Sequence, residues 1–191
     1  DLPTLSLPID RPRPPVSTGC GAAHPIRLDL KLSDGLRALA EKYQVTLYTV
    51  LLTAFQTLLQ RYTGQNDILV GFPKSGRSPV TARVIGYFVN QTVVRADFSE
   101  NPLFVDLLHK AQKAIEEGAG HAWYPFSLLV QRLQPVRDLS RSPLIQAVFS
   151  WQQAPRLIPR ESAGPLVLGQ ADHAIDLNAL SLRYGHLPHR V

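Results

Sequence analysis

The stretch TLYTVLLTAFQTLLQRYTGQNDILVG, Thr46 to Gly71, decides the fold class. In it Leu47, Val50, Leu51, Ala54, Phe55, Leu58, Leu59 and Tyr62 recur at helical spacing for about four turns, which predicts a helix with an apolar face. Thr46 can cap its start and Gly64 stops it. With Leu52 also apolar, the helix is expected to be buried on most sides. The short apolar run Ile68 to Val70 then reads as a strand, so helix and strand alternate and the domain is of mixed α/β class.

Toward the N-terminus, Ser33 is expected to cap a shorter helix with Leu36, Leu39, Ala40 and Tyr43 inward. Before it, Ile26, Leu28, Leu30 and Leu32 alternate with Arg27, Asp29 and Lys31, the period of a half-buried strand. Residues 1 to 18 carry Pro3, Pro8, Pro12, Pro14 and Pro15, which fix φ and remove donors, so this part is an extended strap. The organisation expected is a strap over 1–23 and a lobe over 24–191.

Toward the C-terminus, GFPKSGRSP from Gly71 reads as a loop and Tyr87 to Arg95 as a strand rich in aromatic and β-branched residues. Asn101 as cap and Pro102 at the first helical position open a helix with Leu103, Leu107, Leu108, Ala111 and Ile115 inward, closed at Gly118. A shorter helix follows Pro125 and ends before Pro135, and Leu144 to Gln152, Leu166 to Leu168 and Ala174 to Tyr184 read as strands. The fold expected is α/β, a mixed sheet with flanking helices.

Composition limits the chemistry. The chain has 191 residues, 45% of them apolar and 18% charged, enough for a core without a metal or disulfide staple. No apolar run approaches the ~18 residues that span a bilayer, and no signal-peptide pattern opens the chain. Its single cysteine, Cys20, fits a reducing, cytoplasmic setting. Lacking methionine, it reads as a piece of a longer polypeptide. The net charge is +5, but the basic residues are scattered, and Arg132, Arg137 and Arg141 alternate with Leu133, Pro135 and Leu139 rather than with stacking aromatics. Nucleic acid is therefore not an expected partner.

Gly71 to Ser78 has the spacing of a phosphate-binding P-loop, yet Arg77 stands where the compact lysine charge is needed and Pro73 removes a cradling N–H. Nucleotide binding there is disfavoured. No GxSxG elbow and no helix-borne histidine pair is present, His186 and His189 lack nearby carboxylates, and Asp172, His173 and Asp176 would alternate faces on a strand. No metal site is expected, and the chain holds no self-contained catalytic constellation.

Three segments remain: IGYFVNQTVVR at 85–95, HAWYPFSLLVQRL at 121–133 and RDLSRSPLIQAVF at 137–149. In order and spacing they resemble the last three motifs of condensation domains of nonribosomal peptide synthetases. LPIDRPRPP at 7–15 and Gly71, Pro73 and Arg77 are also similar to that family. The resemblance implies one lobe of a two-lobed, chloramphenicol acetyltransferase-like fold. That family's catalytic HHxxxDG belongs to the other, N-terminal lobe, and this sequence contains none. The chain thus looks like the C-terminal lobe, forming one wall of a tunnel. Within that tunnel an acyl or peptidyl thioester is joined to an amine, both carried on phosphopantetheine arms of donor and acceptor carrier proteins. The other partners implied are the N-terminal lobe and adjacent synthetase domains, and no cofactor is bound directly. A non-catalytic docking or structural domain is the alternative reading.

Catalytic residues are expected in the missing lobe. Asn90, with Thr92 and Tyr87 as weaker candidates, could face the pantetheine arm, because an amide both donates and accepts; the alternative for Asn90 is satisfaction of backbone groups. Gln91 stands where the family usually has Thr. His121 matches the motif histidine, but Trp123 and Ser127 replace a usual Asp and Glu, so a packed structural role is expected. Arg137, Asp138, Ser140 and Arg141 keep the family pattern and are expected to fix a turn.

Overall fold

The computed structural model describes residues 2–152. Their elements are α1 (Leu30–Lys42), α2 (Leu47–Thr63), β1 (Asp67–Ser75), β2 (Val89–Asp97), α3 (Phe104–Gly120) and α4 (Phe126–Leu133). The expected strands at Leu166–Leu168 and Ala174–Tyr184 lie outside the described residues, as do Asp172, His173, Asp176, His186 and His189.

β1 and β2 pair antiparallel, from Asp67 opposite Asp97 to Ser75 opposite Val89. On the other edge of β1 a short segment runs parallel to it: Gly71 N–H donates to Ala147 O (2.9 Å) and Phe149 N–H donates to Gly71 O (2.8 Å). Ile68, Val70 and Phe72 share a face with Ala96, Val94 and Thr92, since residues two apart lie on one side. That face meets Leu51, Leu52, Phe55 and Leu59 of α2 and Leu107 of α3 in the main core. Ala40 of α1, Val50 and Leu108 form a smaller core, joined by Leu36, Leu39 and Tyr43.

Helix α2 has the expected ends. Thr46 Oγ1 accepts from Thr49 N–H (3.1 Å), and Gly64 is left-handed at φ 68°. Its burial differs from expectation. Thr49, Thr53 and Gln56 are buried, whereas Leu58 and Tyr62 are 48% and 65% exposed. The threonines can go inside because Thr53 Oγ1 donates to Thr49 O (2.8 Å) and Thr49 Oγ1 to Gln112 Oε1 (2.5 Å).

The alternating segment Ile26 to Leu32 is not a strand. Asp29 Oδ1 accepts from Leu32 N–H (2.7 Å) and starts α1 at Leu30, so Asp29, not Ser33, is the cap. Ile26, Leu30 and Leu32 are exposed, with no sheet among the described residues facing them. The expected loop at Gly71 is also corrected. β1 continues through Pro73 to Ser75, and Gly71 is needed inside it because a Cβ there would lie 2.7 Å from Ile145 Cγ2. Pro73 faces the same edge as Gly71, and its missing N–H ends the parallel pairing.

β2 begins two residues later than expected, at Val89. Phe88 stays in the loop, where its ring lies under the Arg77 guanidinium (4.5 Å) and its carbonyl accepts from Gly76 N–H (2.6 Å). Asn101 does not cap α3. It is left-handed at φ 48°, donates its N–H to Phe98 O (3.0 Å), and leaves Leu103 as the cap residue. α3 passes through Gly118 to Gly120, and a Cβ at 118 would lie 2.9 Å from Thr92 Cγ2. α4 forms where expected, and Gln134 ends it at φ 44°. The expected strand from Leu144 reduces to the single parallel bridge at Val148, since Leu144 itself is left-handed at φ 61°.

Candidate functional site

Asn90, near the start of β2, has both ends of its amide occupied. Nδ2 donates to Ala122 O (2.9 Å) and Tyr124 O (2.6 Å), and Oδ1 accepts from Phe126 N–H (3.0 Å). Of the two readings open for Asn90, these bonds match the satisfaction of backbone groups: they tie β2 to the turn between α3 and α4. Thr92 lies further along the same face, its Oγ1 buried and without a hydrogen-bond partner. Tyr87 is 75% exposed in the loop before β2.

That loop is closed by Arg77. Its guanidinium donates to Thr81 O (3.0 Å), Val84 O (2.8 Å) and Gly86 O (3.2 Å). Three carbonyls and an aromatic ring thus take the side chain that the P-loop spacing would aim at phosphate.

His121 is exposed, not packed. It caps the C-terminus of α3, its backbone N–H donating to Glu117 O and Gly118 O (both 3.2 Å). The packed ring is Tyr124, between the edge of Trp123 (5.8 Å) and the guanidinium of Arg132 (5.9 Å). Trp123 itself is 76% exposed, because no helix or strand among the described residues covers that side.

The RDLSR segment does fix a turn. Asp138 Oδ1 accepts from Ser140 N–H (2.8 Å), Asp138 pairs with Arg141 (3.4 Å), and Ser140 is buried. Hydrogen bonds from Ser140 hold the Asp138 carboxyl below the usual carboxylate range, and the charges of Arg141 and Arg13 add to this. Arg141 also reaches across the chain, its Nη1 donating to Leu5 O (3.2 Å). Arg137 points to solvent.

The predicted residues therefore fall into two groups, Asn90 with the 121–126 turn and Asp138, Ser140 and Arg141 with the strap. Sequence reasoning missed Gln65 and Gln146, which bind the same strap. Their one signal was chemical type, since a primary amide can pair with a peptide group on both sides. An open hollow at the start of α3, lined by Glu100, Asp106, His109 and Lys110, contains none of these residues. Among the described residues no three of His, Cys, Asp and Glu gather as metal ligands, and no helix is long and apolar enough to cross a membrane.

This helix-backed sheet is a lobe of the chloramphenicol acetyltransferase-like kind, as the solved structures show. A four-domain nonribosomal peptide synthetase bound to AMP and glycine superposes with TM-score 0.77 at 25% identity, over 92% of this chain and 14% of that one. The X-domain from teicoplanin biosynthesis gives 0.72 at 27%, over 78% and 33%. The chain belongs to the condensation-domain family, whose profile matches residues 1–175. It is 43% identical over 160 residues to surfactin synthase subunit 1 of Bacillus subtilis (strain 168), and 41% over 183 residues to a linear gramicidin synthase of Brevibacillus parabrevis. The matches cover 83% and 95% of this chain but 4% of each relative.

Proposed function

We propose that the chain works as the C-terminal lobe of an amide-forming condensation domain in nonribosomal peptide synthesis. The observation that carries this reading is the superposition on a multidomain synthetase over 92% of the chain, joined to a family match over residues 1–175. In this reading the lobe is one wall of a tunnel. Phosphopantetheine arms of a donor and an acceptor carrier protein enter it, and the acceptor amine attacks the donor thioester, releasing the donor's thiol. Residues 1–23 are the strap leading in from the partner lobe.

Among the described residues, the candidates supply form rather than proton transfer. General base or oxyanion work needs a group about 3 Å from the reacting atoms. Asn90 is saturated by backbone groups, Asp138 is engaged with Ser140 and Arg141, and the sequence has no HHxxxDG. Thr92 Oγ1 has no hydrogen-bond partner but is buried on the sheet face under α3, so a pantetheine arm reaches it only if that packing opens.

The test compares the chain alone with the chain joined to the ~200 residues that precede it, about one more lobe. Both are given two loaded carrier proteins. The longer protein is expected to form the amide and the chain alone none; product from the chain alone overturns the half-domain reading. A second reading, docking without turnover, is favoured by one observation: the X-domain it resembles has been solved in complex with OxyB. A longer protein that makes no amide yet binds a partner protein would support that reading.

A further inference from the structure

The start of the chain is held by side chains rather than by a neighbouring strand. Around Leu5, consecutive backbone groups are each taken. Gln65 Nε2 donates to Thr4 O (2.9 Å) and Gln65 Oε1 accepts from Ser6 N–H (2.8 Å), so one amide grips the peptide groups on both sides of Leu5. Gln146 Oε1 accepts from Leu5 N–H (2.9 Å), and Arg141 Nη1 donates to Leu5 O (3.2 Å). The Leu5 side chain is 6% exposed and belongs to the main core.

The gripping groups are themselves fixed. Gln146 Nε2 donates to Ser142 O (2.9 Å), Arg141 pairs with Asp138, and Gln65 N–H donates to Thr63 Oγ1 (3.2 Å) at the end of α2. Farther along, Ser17 N–H donates to Leu139 O (3.0 Å). The strap is thus tied to the 137–146 segment near both of its ends. Between the ties Pro8, Pro12, Pro14 and Pro15 stiffen it, so fixing two points fixes its direction. The hydrogen bonds of Gln65, Arg141 and Gln146 to the strap all go to its backbone, which suits a device that sets position.

We infer that Gln65, Arg141 and Gln146 are positioning residues that latch the strap and so set how the partner lobe is seated against this one. This rests on the two-lobed reading above. A displacement of about 1 Å between groups that must meet can cost on the order of a hundredfold in rate, even when it originates far from the chemistry. Loosening the latch should therefore lower turnover and leave carrier binding alone.

The experiment uses the intact two-lobed domain, as wild type, Gln65→Ala/Gln146→Ala, and Gln146→Glu, which keeps the acceptor for Leu5 N–H and keeps Gln65 while losing the donor to Ser142 O. In the double variant, hydrogen exchange at Leu5 and Ser6 is expected to rise about tenfold while Leu52 in α2 stays protected, which separates a loosened latch from unfolding. Its kcat for amide formation is expected to fall about tenfold with KM for both carriers unchanged, and Gln146→Glu to lose less, since Gln65 still holds both of its bonds. Unchanged exchange at Leu5 and Ser6, wild-type kcat in the double variant, or equal loss in Gln146→Glu would overturn the inference. If wild type itself forms no amide, the enzymatic reading fails separately. The latch is then judged by the distance between spin labels on the two lobes: a shifted or broadened distance in the double variant supports it, and an unchanged distance overturns it.

Discussion

Asn90 commits both ends of its amide to one turn, and that makes its substitutions informative. In Asn90→Ala the carbonyls of Ala122 and Tyr124 and the N–H of Phe126 lose their partner, a cost of about 2 kcal/mol for partly buried groups. Asn90→Asp keeps the acceptor for Phe126 but sets a carboxylate against two carbonyl oxygens, so it should destabilise more than alanine does. Urea unfolding orders the two variants, and an aspartate as stable as wild type would show that the clamp does not hold the turn. Asp138 gives a prediction in pH. Its folded pKa lies below the ordinary value near 3.9, so its contribution is present above that pH and is lost as pH falls through the folded pKa. Urea midpoints of wild type should therefore fall on acidification below about pH 4, and Asp138→Asn, which keeps an acceptor for Ser140, should remove part of that slope. The turn at Asp138 was legible because an Asp side chain readily accepts from the backbone N–H two residues on, as it does here from Ser140. The clamp at Asn90 was open between two readings, since its partners lie more than 30 positions along the chain.

α2 and α4, whose signals are local, were read close to their observed ends, while the joins that depend on distant residues were not. α2 has a hydroxyl cap, a helical repeat and a terminal glycine, all within its own sequence. Gly64 stands at φ 68° with open space around the Cβ position, so Gly64→Ala should cost about 1 kcal/mol through backbone conformation alone. Gly71 is the opposite case. Its backbone needs no special φ, and Gly71→Ala should cost about 1–3 kcal/mol through overpacking against Ile145. Ile145→Ala makes a cavity, yet the double variant should be more stable than the sum of the two single changes, because each relieves the other. Chemical denaturation of this cycle checks it, and strict additivity would mean that the contact with Ile145 is not what requires glycine. No pattern around Gly71 could reveal this, because Ile145 is far along the chain; turn-type residues there read as a loop. The alternating segment Ile26 to Leu32 misled in the reverse direction, a strand period with no sheet among the described residues to face, overridden by the Asp29 cap.

At the scale of the molecule, the sheet is extended by a segment at 147–149 and the core is joined by Leu5, both brought in from the ends of the described chain. Neither join has a periodicity to betray it, so the class of fold was legible while its closure was not. The same view accounts for where the apolar surface lies. Val80, Val84, Ile85 and Tyr87 are 89%, 50%, 100% and 75% exposed on the loop that Arg77 holds shut. Apolar side chains gathered on one ordered loop form a patch, and in water such a patch favours association. Since none of the four is buried, changing them should not touch the fold. The double variant Ile85→Ser/Tyr87→Ser is expected to unfold within about 0.5 kcal/mol of wild type while scattering less light at high concentration. Loss of stability in that variant would mean that the loop is part of the core. Unchanged scattering would mean that association, if present, uses another face. Arg77→Ala should act differently, because releasing three carbonyls lets the loop open. Protease cleavage between residues 78 and 86 should then speed up in Arg77→Ala but not in Ile85→Ser/Tyr87→Ser.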